Sequence, residues 1–65
     1  MKCTHKHNNM FQLENGNVMK FVGYVKEVQG NEYFIAKDSK TGTKKVFRAA
    51  AYNDAGQFCE VDEVN

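Results

Sequence analysis

Two thiols and two imidazoles are the residues whose types and spacing point most directly to chemistry. Cys3, His5 and His7 alternate, so in an extended segment their side chains point the same way. With Cys59 they make up the ligand count of a closed structural zinc site. No C-x-x-C knuckle accompanies them, and potential ligands near a chain terminus are typical of a mobile tail. We therefore predict no cofactor, with zinc bound by Cys3, His5, His7 and Cys59 as the alternative.

Catalysis by a nucleophile needs a thiol or hydroxyl beside a positioned base. His5 and His7 lie in the predicted tail, and Cys59 lies in an apolar alternation where a thiol packs as a small apolar group. Glu60 and Asp62 are better explained as an acidic strand edge that discourages strand pairing than as a pair of catalytic carboxylates. The sequence contains no glycine-rich phosphate loop and no H-E-x-x-H motif. We predict that the protein is not an enzyme.

Length and composition favour one small domain. The chain has 65 residues, of which 42% are apolar and 26% charged. No segment approaches the roughly 18 consecutive apolar residues of a membrane helix, and residues 1–9 lack the apolar stretch of a secretory signal. We expect a cytoplasmic protein with reduced thiols and no membrane contact. Residues 1–9 are predicted to be a flexible N-terminal tail and residues 10–65 a single β-domain.

Hydrophobic alternation predicts strands, because β-branched and aromatic residues recur with a period of two. Asn15-Gly16 predicts a type I′ hairpin turn, Gly30-Asn31 a second two-residue loop, and residues 39–42 a longer loop that ends on glycine. These turns define a meander of four strands, and a fifth follows near the end of the chain. The predicted strands cover residues 10–14, 17–29, 32–38, 43–49 and 57–64.

The alanines of residues 49–52 interrupt the alternation and predict a short helical turn before the last strand. A five-stranded antiparallel sheet of this size avoids open edges by curling into a small barrel. The order of elements resembles that of SH3-like barrels, in which a helical turn joins the last two strands. Residues 22–48 are also similar to the first three strands of an OB-fold. The resemblance is architectural and implies an all-β barrel of SH3-like or OB-like closure, without a function.

Alternation also divides the side chains between two faces of the sheet. A glycine inside a strand often marks a bulge, so Gly23 makes the facing of residues 24–28 the least secure. The predicted core comprises Phe11, Leu13, Met19, Phe21, Val25, Phe34, Ala36, Phe47, Cys59 and Val61. The opposite face mixes cations with tyrosines and aliphatic residues, and its predicted partner-binding set is Lys20, Tyr24, Lys26, Tyr33, Ile35, Lys37, Lys44 and Arg48.

Charge is distributed unevenly along the chain. Residues 1–48 hold nine basic and four acidic side chains, whereas residues 49–65 hold four acidic side chains and no basic one. We predict a non-enzymatic protein-interaction or regulatory module that binds a protein, or a second copy of itself, through the mixed face or a sheet edge. The alternative is a nucleic-acid-binding barrel whose lysines track phosphates while tyrosines stack bases.

Overall fold

The computed structural model describes residues 1–64 and contains a single antiparallel sheet of six strands. Neighbouring strands in the sheet follow one another in the chain, so the topology is a continuous meander. No helix occurs among the described residues. The strands are β1 (Cys3–His5), β2 (Met10–Leu13), β3 (Val18–Val28), β4 (Asn31–Asp38), β5 (Lys44–Tyr52) and β6 (Phe58–Val64).

The all-β antiparallel prediction is confirmed, but the prediction of five strands is wrong. The sixth strand is β1, within the segment expected to be a tail, and it pairs with β2 through Cys3 opposite Leu13 and His5 opposite Phe11. Its turn has no glycine to signal it, and instead uses Asn8 with φ 61° and Asn9 with φ 60°. Asparagine is among the few L-residues that enter this left-handed region readily.

The predicted helical turn at residues 49–52 is also wrong, because β5 continues through Tyr52. Pairing with β6 overrides the helical preference of the alanines, as tertiary context commonly does. Residues 54–56 then form the turn. Asn53 donates to the Gln57 carbonyl at 2.8 Å, and Gly56 donates to the Asn53 carbonyl at 3.0 Å.

The predicted SH3-like or OB-like barrel does not form, because β1 and β6 are not joined by a ladder. The backbone pairing at this edge consists of one isolated bridge between Lys2 and Glu60 and a pair of hydrogen bonds between Met1 and Val61, all just before β1 begins. A strand of three residues offers few backbone groups for closure. The sheet therefore curls around its core without closing.

The tightest hairpin, between β3 and β4, differs by one residue from its predicted position. Val28 pairs with Asn31, so the loop is Gln29-Gly30, with φ 51° and 82°. Two positive φ angles in a two-residue loop are the property of a type I′ turn. At Asn15-Gly16 only the glycine has positive φ, and Leu13 pairs with Asn17 across a three-residue loop. The type I′ turn predicted at Asn15-Gly16 is therefore wrong, whereas the two-residue loop predicted between β3 and β4 is present one residue earlier in the chain and has type I′ geometry.

The core lies on one face of the curled sheet and consists largely of phenylalanines. Phe34 stacks on Phe47 with ring centroids 5.8 Å apart and on Phe58 at 4.7 Å. Phe11 packs edge-on against all three of these rings. Such aromatic pairs contribute about 0.5–1.5 kcal/mol beyond the area they bury. The buried residues are Phe11, Leu13, Met19, Phe34, Ala36, Phe47, Ala49 and Val61.

Two predicted core residues, Val25 and Cys59, do not belong to the core, and bulges explain both. The pairing of β3 with β4 skips Val22 and then Val25, so each is an extra residue in β3. The first bulge turns Tyr24 toward the core face, and the second restores Lys26 to the opposite face. Val25 is left 43% exposed. The bulge that Gly23 indicated is therefore present, but it is accompanied by a second.

A matching irregularity lies between β5 and β6. Ala49 pairs with Val61, Ala51 with Glu60 and Tyr52 with Phe58, so Ala50 and Cys59 are each unopposed. Cys59 is half-buried as a result, and Phe58 packs against the core in its place. The same shift turns Tyr52 toward the core face. The bulges in β3 and β5, the strands on either side of β4, thus bring two tyrosines to one end of the core.

Candidate functional site

The face opposite the core, called here the outer face, carries seven of the eight predicted partner-binding residues. The cross-strand registers place them there together: Lys20, Lys26, Tyr33, Ile35, Lys37, Lys44 and Arg48. Tyr24 is the exception, because it pairs with the buried Phe34 and shares its side of the sheet. The predicted set is therefore brought together on one surface apart from this tyrosine.

Three lysines lie directly opposite one another across the outer face. Lys37 of β4 pairs with Lys20 of β3 on one side and with Lys44 of β5 on the other. All three are exposed, and no acidic side chain among residues 1–64 lies within 4.0 Å of their ammonium groups. Like charges directly opposite each other destabilise a sheet. This lysine row is a concentrated positive charge without an internal partner in the described part of the chain.

An aliphatic row lies beside the lysine row, two residues further along each strand. Ile35 pairs with Val46, which pairs with Val64, and Val22 occupies the adjoining bulge. Val22 is 47% exposed and Val64 37% exposed, while Ile35 and Val46 are half-buried. A shallow groove of about 360 Å³ continues this surface. Its lining residues are Val25, Lys26, Val28, Tyr33, Val46 and Val64.

The third row of the outer face, called here the mixed row, combines two cations, one tyrosine ring and one acid. Lys26 pairs with Tyr33, Tyr33 with Arg48, and Arg48 with Asp62. The Arg48 guanidinium donates to the Asp62 carboxylate and, at 3.3 Å, to the Asn31 side-chain oxygen. Arg48 is thereby fixed and largely neutralised, whereas Lys26 has no acid within 4.0 Å among residues 1–64. The mixed row therefore adds one uncompensated cation on the far side of the aliphatic row.

The proposed zinc ligands have other hydrogen-bond partners. The His5 Nε2–H donates to the Phe58 carbonyl at 2.7 Å, and the Cys3 thiol lies 3.8 Å from the same oxygen. Burial, and then the neighbouring Cys59, raise the pKa of Cys3, which disfavours the thiolate that binds metal. His7 is exposed in the turn after β1. Residues 1–64 contain no group of three or more His, Cys, Asp or Glu side chains arranged to hold a metal ion.

An aromatic cleft opens at the end of the core where the strands are bulged, and the sequence patterns did not indicate it. The cleft has a volume of about 320 Å³. Tyr24 and Tyr52 stand at its mouth, 57% and 48% exposed. The lining is completed by the rings of His5, Phe21, Phe34 and Phe58, the carboxylate of Glu32, and Ala49, Gly56 and Gln57. Gly23 indicated a bulge and residues 49–52 predict a helical turn, but neither pattern indicates a cleft.

Comparison of the chain with protein-family models, curated proteins and solved structures gives no match. Within residues 1–64 there is also no helix long and apolar enough to cross a membrane. Two surfaces of the described residues could bind a partner or ligand, the outer face and the aromatic cleft.

Proposed function

We propose that the protein is a non-enzymatic binding module that recognises an acidic, amphipathic segment of another protein through its outer face. The observation that carries this proposal is the order of the rows: the aliphatic row lies between the lysine row and Lys26. An apolar strip between cations complements a segment whose apolar side chains are flanked by carboxylates.

The dimensions of the aliphatic row suit one secondary-structure element. The row runs across β3, β4, β5 and β6. Three interstrand spacings of about 4.8 Å give about 14 Å, the length of about nine residues of α-helix. Along β4, Tyr33 and Lys37 are four residues apart, or about 13 Å. A helix of about 10 Å diameter fits between those flanks. The matching partner is a helix with an apolar stripe and acidic borders.

Charge makes a second copy of the chain a poorer occupant of this face. A copy related by a two-fold axis through the aliphatic row would place its lysine row against the mixed row of the first. Lys20 would then face Lys26, and neither of these cations has an acidic side chain within 4.0 Å among residues 1–64. Cations opposed across an interface disfavour association. The outer face is therefore better suited to an acidic partner than to the same face of a second copy.

Nucleic acid is the weaker candidate for the same face. Single-stranded nucleic acids bind basic grooves that also offer several aromatic rings on which their bases stack. With Tyr24 turned to the core face, Tyr33 is the one aromatic ring on the outer face of the described strands. The centre of the face is aliphatic, which suits apolar side chains better than bases.

Binding to two defined probes tests this function. The first is a helical peptide with a leucine stripe bordered by glutamates, and the second is a single-stranded oligothymidylate of equal charge. We expect the peptide to bind more tightly at 0.15 M salt. Lys37→Glu should weaken it about tenfold, within the range measured for charge pairs across interfaces. Lys2→Glu, an equal charge reversal at the β1–β6 edge, should have little effect.

Ile35→Asp supplies the second test, since it places a carboxylate in the middle of the aliphatic row. It should abolish peptide binding while circular dichroism confirms that the sheet persists. The proposal is wrong if the oligothymidylate binds more tightly than the peptide with a steep salt dependence, which is the signature of phosphate contacts. It is also wrong if neither variant alters peptide binding.

A further inference from the structure

The aromatic cleft is separate from the outer face, and its shape is that of a ligand site. Its volume of about 320 Å³ lies at the lower end of the roughly 300–1,000 Å³ of small-molecule pockets. Phe58 and Phe34 stack at its base, and Phe21 packs on Phe34 with centroids 5.6 Å apart. Tyr24 and Tyr52 flank the opening, so aromatic rings surround the space on several sides.

The cleft is open because small residues and bulges occupy its surroundings. Ala49 is buried at the lining, where a larger side chain would fill the volume. The bulges at Val22 and Ala50 turn Tyr24 and Tyr52 to the core face. A small domain that leaves its tyrosines half-exposed forgoes apolar burial that it could use for stability. Exposed apolar surface around a concave site is typical of ligand binding.

Two carboxylates give the mouth of the cleft a negative potential. Glu27 and Glu32 are directly opposite each other on β3 and β4, on the same side of the sheet as Tyr24. Neither has a basic side chain within 4.0 Å among residues 1–64. Glu32 accepts a hydrogen bond from the Tyr52 hydroxyl, which raises the pKa of Tyr52 to about 12. Burial and the charges of Glu27 and Glu32 raise the pKa of Tyr24.

We infer that the aromatic cleft binds a compact organic cation, a quaternary or methylated ammonium group, between Tyr24, Tyr52 and Phe58 with Glu32 as the counter-charge. The faces of aromatic rings carry negative potential and attract cations, most strongly where water is excluded. A carboxylate at the rim adds direct attraction. Such a group occurs on free small molecules and on modified lysine side chains of proteins, and both present the same chemistry to the cleft.

Choline and its neutral isostere 3,3-dimethylbutan-1-ol test the inference on the full chain. The two differ in charge but hardly in shape, so their comparison isolates the cation–ring attraction. In NMR titrations we expect choline to shift the resonances of Tyr24, Tyr52 and Phe58 saturably and to bind at least about fivefold more tightly than the alcohol. Equal binding of the two, or no saturable shift at these residues with choline, overturns the inference.

Matched variants locate the site. Tyr24→Leu should reduce choline affinity about fivefold or more, whereas Tyr33→Leu, which removes a ring from the outer face, should not. Glu32→Gln keeps the shape of the cleft and should also weaken choline binding. This variant provides the test if Tyr24→Leu perturbs the fold. Unchanged affinity in both cleft variants contradicts the assignment.

A third probe distinguishes the two sources of the cation. It is a short peptide carrying one trimethyllysine, compared with the same peptide carrying unmodified lysine. Preference for the trimethylated peptide over choline identifies a modified protein as the source, and the reverse order identifies a free small molecule. Either order supports the cation site. The cation site is contradicted if the two peptides bind equally and Glu32→Gln changes the affinity of neither. Results at the cleft are independent of those with the outer-face peptide.

Discussion

Neutralising the central lysine of the outer face should make the fold more stable. Lys37 lies between Lys20 and Lys44 in the cross-strand register. Its replacement by glutamine keeps an exposed polar side chain of similar length and removes two like-charge contacts at once. Most single substitutions destabilise a protein, so the expected gain is a distinctive consequence of this arrangement.

The size of the gain follows from Coulomb's law. Two ammonium groups on flexible side chains about 7 Å apart repel by about 0.6 kcal/mol in water. Screening at 0.1 M salt reduces this to about 0.3 kcal/mol for each pair. Lys37→Gln should therefore stabilise the domain by about 0.6 kcal/mol. For a domain of this size that corresponds to a melting temperature higher by about 2–5 °C.

Thermal unfolding followed by circular dichroism at 0.1 M and 1 M NaCl measures this effect. At 1 M salt the Debye length falls to about 3 Å, so the difference between Lys37→Gln and the wild type should nearly vanish. Lys26→Gln is the matched control, because Lys26 is on the same face but lies opposite Tyr33. A Lys37→Gln variant no more stable than the wild type at low salt, or a gain that persists at 1 M, would refute the reasoning.

Three further predictions concern the core, a turn and a tyrosine. Phe34→Ala removes a ring stacked on two others and should lower the free energy of unfolding by about 3–5 kcal/mol, so that circular dichroism shows a largely unfolded chain. A cooperative melt near the wild-type temperature would contradict this. Gln29→Asn should raise stability by about 0.5 kcal/mol in urea titrations, since asparagine tolerates the positive φ of a type I′ turn better, and a loss would argue against that turn. Because the pKa of Tyr52 is raised to about 12, its stabilising hydrogen bond to Glu32 persists below the ordinary tyrosine pKa of about 10 and is lost as pH rises from there through about 12. In an ultraviolet titration the last tyrosine to ionise should be Tyr52, and its pKa should move back toward 10 in Glu32→Gln; an unchanged titration would disprove the contact.

The strands and most of the core were predictable because both depend on local pattern. Phe11 is followed by Leu13 and Phe34 by Ala36, each at a spacing of two residues, and a period of two assigns such residues to one face of a sheet. The turns between the runs were recognisable from glycine and asparagine. The outer-face lysines followed from the same alternation, so seven of the eight predicted binding residues share one surface in the structure.

The aromatic cleft was not predictable, since it depends on bulges that only pairing defines. One extra residue in a strand reverses the facing of everything after it. Gly23 signalled the first bulge, which turns Tyr24, but nothing marked the second at Val25, so the facing of residues 24–28 was undetermined. The bulge at Ala50 was hidden in a run of alanines whose own preference is helical. At these alanines, pairing with β6 outweighs the local helical propensity.

Strand β1 escaped prediction for a different reason. It has three residues, too few to establish a period, and its turn relies on Asn8 and Asn9. Besides its pairing with β2, it is held by a nonlocal contact, the hydrogen bond of His5 to the Phe58 carbonyl. Contacts over such a sequence distance leave no trace in a local pattern.

Capture from an extract of the host, with and without nuclease treatment of the extract, tests the central claim most directly. Wild-type protein and the Ile35→Asp and Lys2→Glu variants are immobilised in parallel. We predict that wild type and Lys2→Glu retain the same protein, that its bound region is an acidic amphipathic segment by cross-linking, and that Ile35→Asp loses it. Retention of nucleic acid that nuclease removes, or equal capture by Ile35→Asp, would contradict the claim that the outer face binds an acidic protein segment.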